Sequence, residues 1–144
     1  MMKPIIYLDV DGVARPNFRP NNYLLNAKNV ALLNRAFDSI DAEVVISSNW
    51  RLTHPLGFFN SHFNGRVIGK TRDLEYKNIG EFARWHEILE YMEGHIGRNF
   101  YVLDDQAYHF PTRISQLVLC NETTGFTMKE FDILMVKHNN SKKC

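Results

Sequence analysis

The chain predicts an α/β fold, a three-layer α/β/α sandwich around a mainly parallel sheet. Three short apolar runs stop abruptly at polar residues: Ile5 to Leu8 before Asp9, Val44 to Ile46 before Ser47, and Tyr101 to Leu103 before Asp104. Runs of this length, rich in β-branched and aromatic residues, read as buried strands. Segments of helical periodicity separate them, so strand and helix alternate. A strand–helix–strand unit pairs its strands in parallel, which sets the polar ends on one edge of the sheet, where open α/β sheets bind ligands.

The elements follow in order. The first strand ends in Asp9-Val10-Asp11-Gly12, with the two carboxylates at i and i+2 on one strand face. Residues 13–22 hold two prolines and three asparagines and read as a loop. Hanging off the paired aspartates, that loop is placed to line or cover a site, and its Arg15 and Arg19 suit a phosphate. Asn26 to Ile40 is a helix with Asn26 as N-cap and Val30, Leu33 and Phe37 on one stripe. Glu43 to Ile46 is the second strand, ending in Ser47-Ser48-Asn49-Trp50-Arg51. Pro55 to Phe63 is a short helix, Asn64-Gly65-Arg66 a turn and Val67 to Gly69 a short strand. Residues 70–78 form a loop. Ile79 to Tyr91 is a helix with Phe82, Trp85, Leu89 and Met92 at core spacing, stopped by Gly94 and Gly97. Asn99 to Asp105 and Gln116 to Cys120 are strands. Thr127 and Glu130 form a capping box for a last helix with Met128, Phe131, Leu134 and Met135 on its apolar face. This gives one domain over residues 1–138 and a flexible tail over 139–144.

Composition narrows the class. With 144 residues, 44% of them hydrophobic, the chain suits one domain with its own core. A net charge of +1 gives no overall electrostatic footprint for nucleic acid or membrane, so any such surface is local. Two cysteines, Cys120 and Cys144, are too few for a disulfide framework and fit a reducing compartment. The N-terminal stretch, interrupted by Asp9, is neither a signal peptide nor a membrane span. The expected location is cytoplasmic. His54 and His62 lie eight apart without Cys or carboxylate at ligand spacing, which argues against a histidine metal site.

The strand ends carry the chemistry. Asp9, Asp11, Asp104 and Asp105 at one sheet edge would repel one another without a cation. An all-oxygen donor set points to a hard ion, and Mg²⁺ fits best. A carboxylate beside Mg²⁺ can attack a phosphoryl group, a second can protonate the leaving oxygen, and a hydroxyl and a cationic side chain can hold the phosphoryl oxygens.

At this point the sequence resembles the haloacid dehalogenase (HAD) superfamily. Ile5 to Gly12 matches its first motif, Val44 to Ser47 the second, and Tyr101 to Asp105 the fourth. Within it, Ile46-Ser47-Ser48-Asn49-Trp50-Arg51, Arg84 before Glu87-Ile88, and Leu103-Asp104-Asp105 look like the small HAD domains linked with Swiss Army Knife RNA repair proteins. The resemblance implies a Rossmann-like HAD sandwich and a Mg²⁺-dependent phosphatase acting through an aspartyl-phosphate. Asp9 would be the nucleophile and Asp11 the general acid/base. Asp9, the Asp11 backbone carbonyl and Asp104 would hold Mg²⁺, with Asp105 nearby through water. Ser47 would bind the phosphoryl oxygen, with Ser48 the competing choice.

The family's third motif is usually a lysine; here Arg84 is preferred and Lys77 comes second. Neither connecting stretch is long enough for a large cap domain. An open site would accept a nucleotide or nucleic-acid phosphate end or a phosphoprotein, contacted beyond its phosphate by Ser48, Asn49, Arg51, Arg15 and Arg19, with Trp50 either stacking on a base or lying in the core. The alternative is a non-catalytic module that binds phosphorylated ends or a protein partner.

Overall fold

The computed structural model describes residues 2–17, 24–74 and 80–142. Five strands form one parallel sheet: β1 (Ile5–Leu8), β2 (Glu43–Ile46), β3 (Val67–Lys70), β4 (Phe100–Asp104) and β5 (Leu117–Leu119), in the spatial order β3-β2-β1-β4-β5. Among the described residues the α-helices are α1 (Ala27–Ile40), α2 (Leu56–His62), α3 (Ala83–Met92) and α4 (Met128–Ser141). The sandwich expected from the sequence is the observed architecture. The chain reverses its direction of travel across the sheet between β1 and β4, where ligands of open α/β sheets bind.

Alternation along β1 shows the layers. Ile6 and Leu8 pack with Leu33 and Phe37 of α1, Phe59 of α2, and Phe131 and Leu134 of α4. Ile5 and Tyr7 join a second core with Val45, Val102 and Ile88 of α3, Trp85 packing against it. Each face of the sheet is therefore covered by helix, and the all-apolar reading of β1 follows. Among the described residues, only α1 lies between β1 and β2, and α2, β3 and α3 lie between β2 and β4, with no separate cap. Among those residues no helix is long and apolar enough to cross a membrane.

Local sequence explains most boundaries. The Asn26 side chain accepts the N–H groups of Lys28 and Asn29, starting α1 where expected. The Glu130 carboxylate accepts from both the backbone N–H (2.8 Å) and the hydroxyl of Thr127, the reciprocal arm of a capping box at α4. That helix continues through Ser141, into the stretch expected to be a tail, and Met128 is exposed instead of joining its apolar face.

Two elements differ from expectation. α3 begins at Ala83, because Gly80 and Phe82 both take left-handed backbone (φ +84° and +61°). Its buried face is Arg84, Glu87 and Ile88, while Leu89 is exposed. The segment after β1 is also no plain loop. Val13, Ala14 and Arg15 are buried, and the chain is tied to residues 121–126 by Asn17 N–H to Glu122 O (2.7 Å) and Phe126 N–H to Val13 O (2.8 Å). Arg19 and Lys77 lie outside the described residues.

Candidate active site

β1 ends at Leu8, and its two neighbours carry the pairing one residue further. Asp9 N–H donates to Leu103 O and Ser47 N–H to Leu8 O, each at 3.0 Å. The ends of β1, β2 and β4 thus meet at one edge, around a cavity of about 170 Å³ lined by Asp9, Asp11, Asn17, Ser48, Asn49, Arg84, Asp105 and Gln106.

Three carboxylates converge there. Asp9, Asp104 and Asp105 each offer an oxygen within 4.8 Å of the others. Asp104 is fully buried and held from both sides: Oδ1 accepts the Gln106 N–H at 3.0 Å and Oδ2 accepts from Arg84 at the same distance. The same Arg84 nitrogen lies 3.3 Å from Asp9 Oδ1, so one guanidinium bridges two strand ends. Burial opposes its charge, but Asp9 and Asp104 outweigh that and raise its pKa. Burial first, then Asp104, lifts the Asp9 carboxyl well above the usual range, although Arg84 pulls the other way. Burial pushes Asp105 up to about 6, with Asp104 adding to it and a hydrogen bond with Asp9 opposing. Such a cluster holds a proton or a cation by preference.

Asp11 is not part of it. The spacing suggested four carboxylates together, but the chain leaves the strand at Asp9, and Asp11 lies in a turn closed by Gly12 N–H to Arg15 O (2.7 Å), with Gly12 at φ +79°. Asp11 turns to other partners. Its Oδ2 accepts from the Trp50 indole N–H at 3.1 Å, and its Oδ1 lies 3.6 Å from Arg15 Nε. Both aspartates still line the cavity.

The predicted polar residues after β2 separate into two groups. Ser48 and Asn49 line the cavity. Ser48 Oγ accepts the Trp50 N–H at 3.1 Å, and a hydroxyl that accepts still has a proton to donate. Ser47 is fully buried, and its Oγ has no hydrogen-bond partner among the described residues. Arg51 and Arg15 line no part of the cavity and are buried, a departure from the substrate-facing expectation. The Arg51 guanidinium donates to the carbonyls of Ser48 (3.0 Å) and Thr71 (2.8 Å) and pairs with Glu87 at 3.1 Å. Trp50 is buried too. It stacks on His54 (4.9 Å between centroids, 20° between planes) and has Arg15 over its ring at 5.8 Å.

Asn17 and Gln106 are site residues that the sequence reading missed. Asn17 donates to Asp105 Oδ2 at 3.4 Å, and Gln106 sits directly after the acidic pair. Adjacency to Asp105 was the available signal for Gln106; for Asn17 it was membership of the loop expected to line the site. Gly12 also matters beyond ending a strand, since a Cβ there would run into the Asp105 carboxylate.

A parallel sheet whose acidic strand ends are bridged by the buried Arg84 guanidinium defines the class, a doubly wound α/β domain with its site at the strand ends. More narrowly, residues 5–131 match the family model of the HAD domain in Swiss Army Knife RNA repair proteins, and the chain belongs to that family. No curated protein and no solved structure matches it.

Proposed function

We propose that this domain is a Mg²⁺-dependent phosphatase that hydrolyses phosphate monoesters through an aspartyl-phosphate on Asp9. The observation that carries the reading is the grouping of Asp9, Asp104 and Asp105 around one point, with Arg84 bridging the first two. The donor set is all oxygen and its charge is unfavourable when bare, which fits a hard divalent ion. Asp9, Asp104, Asp105 and the Asp11 backbone carbonyl would hold it. When bound, Mg²⁺ offsets negative charge on the phosphoryl oxygens.

The chain's own groups supply the rest. Asp9 attacks phosphorus as the bond to the leaving oxygen breaks, and Asp11 gives that oxygen its proton. Water then attacks the phosphorus on Asp9, Asp11 takes back a proton, and Asp9 is released. Arg84 steadies the charge at Asp9 in the place where the family usually has lysine. Lining of the cavity favours Ser48 over Ser47 as the hydroxyl that meets a phosphoryl oxygen. Asn49, Asn17 and Gln106 would touch the ester beyond it, while Arg15 and Arg51 support the walls.

A cavity of about 170 Å³ suits a phosphoryl group and leaves the remainder of the ester outside. The family's link with RNA repair makes a nucleotide or polynucleotide phosphate end the proposed substrate. Phosphate release from an aryl phosphate and from phosphorylated oligonucleotides, with and without Mg²⁺, tests this. Turnover is expected to need Mg²⁺ and to fall below detection in Asp9→Asn. No Mg²⁺-dependent turnover on any of these esters would remove the enzyme reading in favour of a module that only binds phosphorylated ends.

A further inference from the structure

Asp11 stands in a turn, outside the strand, with its side chain 45% exposed, so the sheet does not fix its carboxylate. A general acid needs a fixed aim, because proton transfer works only within hydrogen-bond reach of the leaving oxygen. We infer that Trp50 is the positioning residue for Asp11, its indole N–H setting the direction in which the carboxyl faces the cavity. This rests on the phosphatase reading above.

The indole is suited to that work because it is itself locked. Its backbone N–H is capped by Ser48 Oγ, its ring stacks on His54 and lies against Phe58, and Arg15 sits over it. The contact with Asp11 spans 39 residues and ties the turn after β1 to the 3₁₀ turn at Asn49–Leu52 after β2. An indole N–H donates and never accepts, so it can hold a carboxyl oxygen without competing for its proton. Trp50 takes one lone pair of Oδ2 and Arg15 faces Oδ1 at ion-pair range. A carboxylate offers about four lone-pair sites, so others remain for exchange with the leaving oxygen and with water. The 3.6 Å separation from Arg15 is too long for a hydrogen bond, and the indole supplies the directional contact.

Dependence on the leaving group tests the role. A misaimed acid harms an ester with a poor leaving oxygen more than one whose leaving oxygen departs unassisted. The substrates are phenyl phosphate and para-nitrophenyl phosphate, assayed with Mg²⁺. The comparison is kcat/KM of wild type against Trp50→Phe, which keeps an aromatic ring and loses the N–H. On phenyl phosphate kcat/KM is expected to fall about tenfold or more, and on para-nitrophenyl phosphate less than about threefold. Should the variant fail to fold, benzothienylalanine incorporated for tryptophan in a Trp85→Phe background replaces the N–H by sulfur at constant ring shape, and the same contrast is expected. Equal losses on both esters, or no loss on either, overturn the role while leaving the phosphatase reading in place. Absence of wild-type turnover removes that reading and the role together.

Discussion

Gly12 carries no Cβ, and the Asp105 carboxylate occupies the space one would fill. The backbone there is left-handed, at φ +79°, which costs an L-residue about 1–2 kcal/mol. Gly12→Ala therefore has two effects, a modest loss of stability and a displaced Asp105. Mg²⁺ affinity, followed by calorimetric titration, is expected to weaken about tenfold, as when a supporting group of a metal site is lost. Unchanged affinity would show that Asp105 does not help hold the ion. The residue scale is also where sequence reasoning fell short. The i, i+2 spacing predicted the Asp9 and Asp11 carboxylates in one cluster with Asp104 and Asp105, and the Asp11 side chain lies outside that cluster. The strand ends at Leu8, and Asp11, in the turn beyond it, finds its partners in Trp50 and Arg15.

At the scale of elements, the Arg51–Glu87 pair fastens the end of β2 to α3. Both side chains are nearly inaccessible, and Glu87 also accepts the Leu74 N–H at 2.9 Å. Burial raises the Glu87 pKa while that N–H and Arg51 hold it down. Glu87→Gln keeps the shape and strands the Arg51 charge, so a loss of about 3 kcal/mol is expected in urea unfolding. A change too small to measure would mean that the backbone carbonyls around Arg51 suffice. The same pair explains why α3 was only partly legible. Of the residues that apolar periodicity selected, Trp85 and Met92 pack against the second core and Leu89 is exposed, while the most buried positions are Arg84, Glu87 and Ile88. Hydropathy cannot see a charge that is buried in an ion pair. α1 has an apolar face and a capping residue that agree and was legible almost to the residue; for α4 the capping box fixed the start, while the C-terminal end and Met128 were misplaced.

For the molecule as a whole, the acidic edge couples stability to pH. Asp9 and Asp105 hold their protons more tightly folded than unfolded, with Asp105 at about 6. A raised carboxyl contributes stability that is complete below the unfolded value, about 4 for aspartate, and is lost as pH rises through the folded value. The metal-free protein thus gives up stability between those limits, and a cation that replaces the proton restores it. The rise in Tm on adding Mg²⁺ is expected to be small at about pH 5 and clearly larger at about pH 7.5. An equal rise at both would separate the ion from these carboxylates. Architecture at this scale was the most legible feature, since apolar runs with polar ends and helices between them leave few arrangements. The relative placement of the residues after those ends depends on turns and buried ion pairs and was not.

The strand order also governs how the sheet comes into being. β1 is central, yet its partner β4 lies some 95 residues further along the chain, at Phe100 against Ile5. During synthesis β1 can pair with β2 early, but its other side remains an unpaired edge until β4 emerges. Asp9 therefore waits at the end of an open, apolar strand until β4 emerges. Its rigid setting is among the last parts of the molecule to form, and a nascent chain halted before β4 is the species most exposed to mispairing.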